Sequence, residues 1–157
     1  MTDKAIQDCY PEDLSHCFGC GSQNQQGHQL KSYLQGEEVI ANFEPEPYHT
    51  AIPGYVYGGL IASLIDCHST GTASIAASRK EGREVGSEPV YRYVTASLQV
   101  DFKRPTPMGP PLELRAKAEE VTPKKVVITS TVSVEGKVCA EGKVVAVPMP
   151  ESMQSGE

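Results

Sequence analysis

The stretch from Pro47 to Ser78 contains a single side chain with a formal charge at neutral pH, Asp66, apart from its two histidines. From Gly58 onward its apolar residues recur at the spacing of one helix face, which predicts a long helix ending near Ser78. That face is formed by Leu60, Ile61, Leu64, Ile65, His68 and Ile75. The opposite side is formed by Ala62, Asp66, Ser69 and Ala73. A solvent-exposed helix would show lysine and glutamate there, so we expect both sides to be buried.

The rest of the chain is dominated by alternating apolar and polar residues. Every even position from Val94 to Phe102 is apolar, which predicts a half-buried strand. Three further strands are predicted over residues 112–118, 126–134 and 138–147. A hairpin within residues 30–44 adds two more. The last four strands are joined by turns too short for helical crossovers, so the sequence predicts an α+β fold in which a curved, mainly antiparallel sheet of about six strands wraps one central helix.

The length of 157 residues fits one folded domain. Residues 1–29 are polar and show no sustained periodicity, which predicts an irregular N-terminal arm. The folded domain is expected to span residues 30–147, and residues 148–157 are expected to form a flexible tail.

Charge, apolar segments and cysteine content indicate where the protein works and what it does not bind. The net charge of −6 disfavours nucleic-acid binding, because phosphates would be repelled overall. No segment has the 18 or so consecutive apolar residues of a membrane span. The N-terminus lacks the basic start and apolar run of a signal peptide, and the five cysteines are an odd number. These features predict a cytoplasmic protein.

Cys17 and Cys20 have the C-x-x-C spacing of half a zinc ribbon. A complete ribbon needs a second pair, which Cys9, His16 and His28 do not supply. A redox role is also disfavoured, because no βαβ pattern surrounds the motif. We therefore expect idle thiols, with no metal and no cofactor.

The isolated carboxylate of Asp66 has two interpretations. It could make a structural hydrogen bond at a wet edge of the helix. Alternatively, it could be an active-site group, because Gly58 and Gly59 stand two turns earlier at the helix N-terminus. Free backbone amides there stabilise a developing oxyanion, and a carboxylate can activate water or attack a carbonyl directly. The combination is suited to acyl transfer.

Two blocks of sequence resemble the hotdog-fold thioesterases, in particular the PaaI-like acyl-CoA thioesterase group that includes the THEM proteins. The first is PGYVYGGLIASLID, and the second is TASLQVDFKRPTPMG. A weaker third block, CFGCGSQNQQGHQL, resembles an N-terminal segment of some relatives. The resemblance covers roughly residues 17–147 and implies the hotdog fold.

The resemblance implies metal-free hydrolysis of an acyl-CoA or related thioester to a carboxylic acid and a free thiol. By position, Asp66 would be the general base or nucleophile, and Gly58 would donate the oxyanion-hole N–H. Thr95 matches a residue that orients the attacking water or the carboxylate. Sites of this group usually form between subunits, so a homodimer or homotetramer is implied. The expected burial of the opposite side of the helix agrees with an oligomer, because a partner surface is needed to cover that side.

The sequence departs from the family pattern at two positions. Tyr57 stands where much of the group has histidine, and it could donate a hydrogen bond in that residue's place. Thr95 falls on the odd, polar face of its predicted strand, which would point it away from the helix unless a bulge intervenes.

Further residues are candidates for binding the substrate. Gly59 directly follows Gly58. His49 stands in the loop before the glycine pair and could either line the pocket or lie on the loop surface. Coenzyme A also needs cations for its phosphates, and we expect Lys103 and Arg104 to supply them, because they follow the strand that carries Thr95.

Two other functions remain open at this point. A non-catalytic acyl-CoA-binding or regulatory module would share the fold. An enoyl-CoA hydratase or dehydratase would need a histidine acting with the carboxylate, and His49 and His68 are the nearest in sequence.

Overall fold

The computed structural model describes residues 3–154. Its six strands are β1 (Tyr33–Gln35), β2 (Glu38–Phe43), β3 (Tyr93–Phe102), β4 (Leu112–Val121), β5 (Val126–Val134) and β6 (Lys137–Pro148). They form one fully antiparallel sheet in the order β1-β2-β4-β5-β6-β3. The helices are α1 (Gly58–Lys80) and a single-turn α2 (Glu151–Gln154). The predicted architecture of one long helix against an antiparallel six-stranded sheet is confirmed.

Helix α1 packs against one face of the sheet, where it touches β3, β4, β5 and β6. Its predicted apolar face is buried as expected, and Leu64 and Ile65 are completely inaccessible to solvent. Gly142 on β6 makes this close packing possible, because a Cβ atom there would lie 2.5 Å from Cγ2 of Ile65.

The opposite side of α1 is also largely buried, and at Asp66 it contacts Thr95 of β3. Ser69 and Ala73 are inaccessible to solvent. The N-terminal arm packs on the apolar side of α1, because at Gly71, on the same side as Leu64 and Ile75, an added Cβ would lie 3.0 Å from both Ile6 and Gln7. The expectation that a partner subunit covers the side that carries Asp66 stays a prediction.

The side chains that face the helix do not follow a single alternation along β3. A bulge between Thr95 and Ser97 shifts its register with β6, so the residues that face inward change from odd to even positions. Tyr93 is buried before the bulge and Val100 contacts the core after it. Phe102, which the alternation predicted to be inward, is 55% exposed. The predicted strand is confirmed as β3, but its uninterrupted alternation was wrong, because the extra residue at the bulge inverts the side-chain phase.

The chain ends differ in structure. The predicted arm contains two single-turn 3₁₀ helices, Ile6–Asp8 and Glu12–Leu14, followed by turns. The segment predicted as a tail begins with the last residue of β6 and includes α2. Residues 1–2 of the arm and 155–157 of the tail lie outside the described residues. Within the described range, neither helix combines the length and the apolarity needed to cross a lipid bilayer.

Candidate active site

Asp66 lies in the middle of α1 and is half-buried. The hydroxyl of Thr95 donates a hydrogen bond to its Oδ1. Across residues 3–154 no lysine, arginine or histidine forms an ion pair with this carboxylate. A half-buried carboxylate oriented by one hydroxyl keeps lone pairs available to accept a proton or to attack an electrophile.

Gly58 and Gly59 begin α1 after Tyr57, whose extended backbone precedes the first helical residue. The first N–H groups of a helix have no partner within it. No side chain caps this end of α1. The ring of Tyr57 lies across Gly59, where an added Cβ would be 2.4 Å from it. Gly58 is next to Phe102, whose ring would be 3.3 Å from a Cβ. The glycine pair thus packs against the rings of Tyr57 and Phe102 at the start of the helix.

Gly58 also lines a cleft of about 420 Å³ together with Phe102, Lys103 and Arg104. Lys103 makes a long contact of 3.9 Å with Glu141, and both side chains are about half exposed. Such an exposed ion pair contributes little to stability, so Lys103 can readily bind another anion in place of Glu141. The cleft therefore places Gly58, the first residue of α1, beside two exposed cationic side chains.

His49 lies in a cluster of aromatic rings rather than in this cleft. Its Nδ1 accepts a hydrogen bond from the backbone N–H of Glu46 at 2.9 Å. Its ring contacts those of His28, Phe43 and Tyr48, with centroids 4.7 to 5.9 Å apart. Its backbone carbonyl accepts a hydrogen bond from the N–H of Tyr57 at 2.9 Å. His49 thereby positions the residue before the glycine pair through the main chain.

His68 is completely buried against the sheet, as predicted. Its Nε2 is 2.9 Å from the carbonyl oxygen of Val39, and its Nδ1 is 2.8 Å from Oγ of Ser32. Burial lowers the pKa of His68 to about 4, so the ring is neutral near pH 7. Both ring nitrogens are occupied by structural partners.

A second cluster lies beside the site, where Cys17, Cys20 and Cys67 place their sulfur atoms within 4.8 Å of one another. Hydrogen bonds from the thiols of Cys20 and Cys67, and then from backbone amides, hold the pKa of Cys17 well below its usual value. The hydrogen bond with Cys17 raises the pKa of Cys20 to about 11 and also raises that of Cys67. The sequence identified the C-x-x-C pair but missed Cys67, because the third sulfur comes from α1.

The predicted residues thus form two separate groups. Thr95 and Asp66 are hydrogen bonded, whereas Gly58, Lys103 and Arg104 share a cleft. Sequence reasoning missed Phe102 and Tyr55 as lining residues of that cleft. The sequence features that could have identified them are the position of Phe102 at the end of a predicted strand and of Tyr55 in the glycine-rich loop.

Comparisons with known proteins agree with this architecture. The family model described as the thioesterase superfamily matches residues 53–147. The crystal structure of a thioesterase superfamily protein from Shewanella loihica is 48% identical, with a TM-score of 0.69. That match covers 90% of this chain and 100% of the Shewanella chain. The shared architecture is the hotdog fold.

Two further matches are more distant. Acyl-coenzyme A thioesterase THEM4 of Xenopus laevis is 31% identical over 88 residues, which is 56% of this chain and 34% of THEM4. The chain thus spans about a third of the length of the curated relatives it matches. The structure of smu.793 from Streptococcus mutans, bound to acetyl CoA, is 16% identical with a TM-score of 0.62. The match covers 76% of this chain and 88% of the smu.793 chain. At this level of identity it shows a shared fold alone.

Proposed function

The chain belongs to the thioesterase superfamily, and from this we propose that it hydrolyses an acyl-coenzyme A thioester to a carboxylic acid and free coenzyme A. Asp66 is the catalytic carboxylate and Gly58 supplies an oxyanion-hole N–H. The observation that carries the proposal is the half-buried Asp66, which accepts a hydrogen bond from Thr95 and has no cationic partner among the described residues.

The reaction needs one group that removes a proton and one that stabilises negative charge. Asp66 takes a proton from water as the water oxygen attacks the thioester carbonyl carbon. The resulting oxyanion accepts a hydrogen bond from the Gly58 amide. The C–S bond then breaks, and the proton held by Asp66 passes to the departing thiolate. Direct attack by the carboxylate through an anhydride uses the same groups.

The spacing of Asp66 and Gly58 favours a site shared by two chains. They are eight residues apart on one helix, so their backbones are separated by about 12 Å along its axis. One thioester carbonyl cannot contact both groups of the same chain. We therefore assign Asp66 of one chain and Gly58 of a second copy to each active site.

Strand β3 supports the presence of a second copy. It forms one edge of the sheet, and it is ten residues long, whereas β1 at the other edge has three. Leu98 is 42% exposed on this edge strand. A long edge strand with exposed apolar side chains readily pairs with another strand. Pairing of β3 with β3 of a second copy would extend the sheet and form a homodimer.

The cleft beside Gly58 supports coenzyme A as the thiol part of the substrate. Lys103 and Arg104 line it, and both are exposed. A guanidinium and an ammonium group bind phosphate through charge-assisted hydrogen bonds. In this arrangement the phosphates of coenzyme A contact these cations, with the thioester near the helix N-terminus.

The hydratase alternative has weaker support. His68 uses both ring nitrogens for Ser32 and Val39, and His49 lies in the aromatic cluster outside the cleft. Neither has a hydrogen bond to Asp66 in the described structure.

The test is hydrolysis of a panel of short, long and aryl acyl-CoAs by wild type and by Asp66→Asn. The five free cysteines react with thiol reagents, so the carboxylic acid product should be measured by chromatography. We expect the variant to lose at least ~100-fold in kcat while keeping its circular dichroism spectrum. Asp13→Asn, which changes an exposed carboxylate of the arm, is the matched control.

Two outcomes would contradict the proposal. Full turnover by Asp66→Asn would remove Asp66 from the chemistry. Saturable acyl-CoA binding by wild type, without release of acid from any substrate, would identify the protein as a binding module.

A further inference from the structure

We propose that Cys17, Cys20 and Cys67 form a structural zinc site that fastens the N-terminal segment to helix α1. Two of the sulfurs, those of Cys17 and Cys67, are 3.7 Å apart, and all three lie within 4.8 Å of one another. Zinc–thiolate bonds are about 2.3 Å long, so two sulfurs on a tetrahedral zinc ion are separated by about 3.8 Å. The observed Cys17–Cys67 separation matches that spacing.

The local backbone is built to bring the C-x-x-C turn onto the helix. The N–H of Gly21 donates to the carbonyl of Cys17 at 2.7 Å, which closes the turn. A Cβ at Gly19 would lie 2.3 Å from Sγ of Cys67, and a Cβ at Gly21 would lie 2.5 Å from backbone atoms of Ser15 and Cys17. Only glycine at these two positions permits the turn to contact Cys67.

The segment over residues 15–30 has little apolar material to hold it in place. Cys20 and Leu30 are its buried hydrophobic residues, whereas Phe18 is 59% exposed. In small folds with little apolar core, a disulfide or a metal ion commonly adds stability. The cysteines described here are all free thiols. Three thiolates around zinc would stabilise the segment further, because the free energy of metal binding contributes directly to folding.

The surroundings also suit a metal–thiolate group. Zinc with three thiolates carries one net negative charge, and the positive charge of Arg92 acts on Cys20, lowering its pKa. The guanidinium of Arg92 lies 4.7 Å from the ring centroid of Tyr10. The Tyr10 hydroxyl is buried and has no hydrogen-bond partner within residues 3–154. Zinc prefers four ligands, so one position remains for a small ligand such as water.

Soft thiolates favour zinc over hard cations such as magnesium. The site is distinct from the proposed hydrolytic groups, although Cys67 directly follows Asp66 in α1. Its role is therefore to order the arm next to the catalytic helix. The proposal does not depend on the hydrolytic activity.

The test measures metal directly. The wild-type chain is purified under reducing conditions, stripped with a chelator and reconstituted with Zn²⁺ or with Co²⁺. We expect about one zinc ion per chain by mass spectrometry of the metal, and the intense visible absorbance of tetrahedral cobalt bound to thiolates. Chelation should lower the Tm of wild type. These measurements use the unaltered chain, so they do not depend on whether a variant folds.

Variants locate the site. Cys20→Ser should lose the bound metal and the cobalt spectrum, whereas Cys9→Ser, a cysteine outside the cluster, should keep both. A folded, reduced wild-type chain that binds neither Zn²⁺ nor Co²⁺ overturns the proposal. So does a disulfide between two of the three cysteines in the protein purified without oxidant, or an unchanged cobalt spectrum in Cys20→Ser.

Discussion

The hydroxyl of Thr95 donates a hydrogen bond to the carboxylate of Asp66 and so links the start of β3 to the middle of α1. The bulge that follows Thr95 lets an odd-numbered residue point toward the helix in a strand whose later inward residues are even-numbered. This contact orients the only acidic side chain of α1.

Removing the Thr95 hydroxyl should slow the reaction without weakening substrate binding. Thr95→Val keeps the side-chain shape but removes the donor, and we expect kcat to fall roughly 10- to 100-fold, the usual value of a hydrogen bond to a charged group. Thr95→Ser should restore most of kcat. Steady-state kinetics separate kcat from KM, and a valine variant with wild-type kcat would contradict an orienting role.

The Gly58 amide can be removed with little change to the helix. Gly58 is the first residue of α1, where proline is well tolerated, and Tyr57 already has the extended backbone that precedes proline. We expect Gly58→Pro to lower kcat by about 100- to 1,000-fold, because an oxyanion donor is lost. Gly58→Ala keeps the N–H and serves as the control. Equal activity in the two variants would exclude this donor.

The two cations of the cleft should affect coenzyme A rather than the acyl group. We expect replacement of Lys103 and Arg104 by alanine to raise KM for acyl-CoA roughly 5- to 30-fold, since each exposed contact contributes up to ~1 kcal/mol. KM for a thioester of N-acetylcysteamine, which lacks the phosphates, should not change. Alanine at Lys124 and Lys125, in the turn before β5, is the matched control. An equal increase for both substrates would argue against phosphate binding.

A charge on the β3 edge should separate the subunits. Leu98→Arg places a cation on the exposed apolar edge, and we expect dimer affinity to fall at least ~10-fold with activity lost in parallel. Sedimentation velocity over a concentration series measures this. Met153→Arg changes a residue of similar exposure in α2 and should leave the assembly intact. An active Leu98→Arg monomer would show that each chain contains a complete site.

His68 should make the fold sensitive to acid. Its pKa is about 4 in the folded chain and near 6.5 when exposed, so the unfolded chain binds more protons between these values. The stabilisation is therefore present above pH 6.5 and is lost as pH falls toward 4, by about 3 kcal/mol in total. Urea denaturation of wild type and His68→Gln across this range gives the difference. Parallel pH curves for the two proteins would contradict it.

Local patterns were sufficient for much of this protein. The helix over Gly58–Lys80 follows from apolar residues at helical spacing, and the antiparallel sheet follows from alternation interrupted by short turns. Asp66 stood out by its isolation in an uncharged stretch. These features are encoded within a few residues of each other, because side-chain periodicity and turn chemistry are local properties of the backbone.

Tertiary structure decided the contacts between distant segments. The bulge that turns Thr95 toward Asp66 depends on how β3 pairs with β6, which the alternation of β3 alone does not reveal. The arm's packing at Gly71 and the approach of Cys67 to Cys17 depend on the path of a segment with little periodicity. Sequence by itself determined the elements and the isolated carboxylate. The packing of those elements brought Thr95 to the Asp66 carboxylate and assembled the three thiols, because such contacts depend on the path of the whole chain.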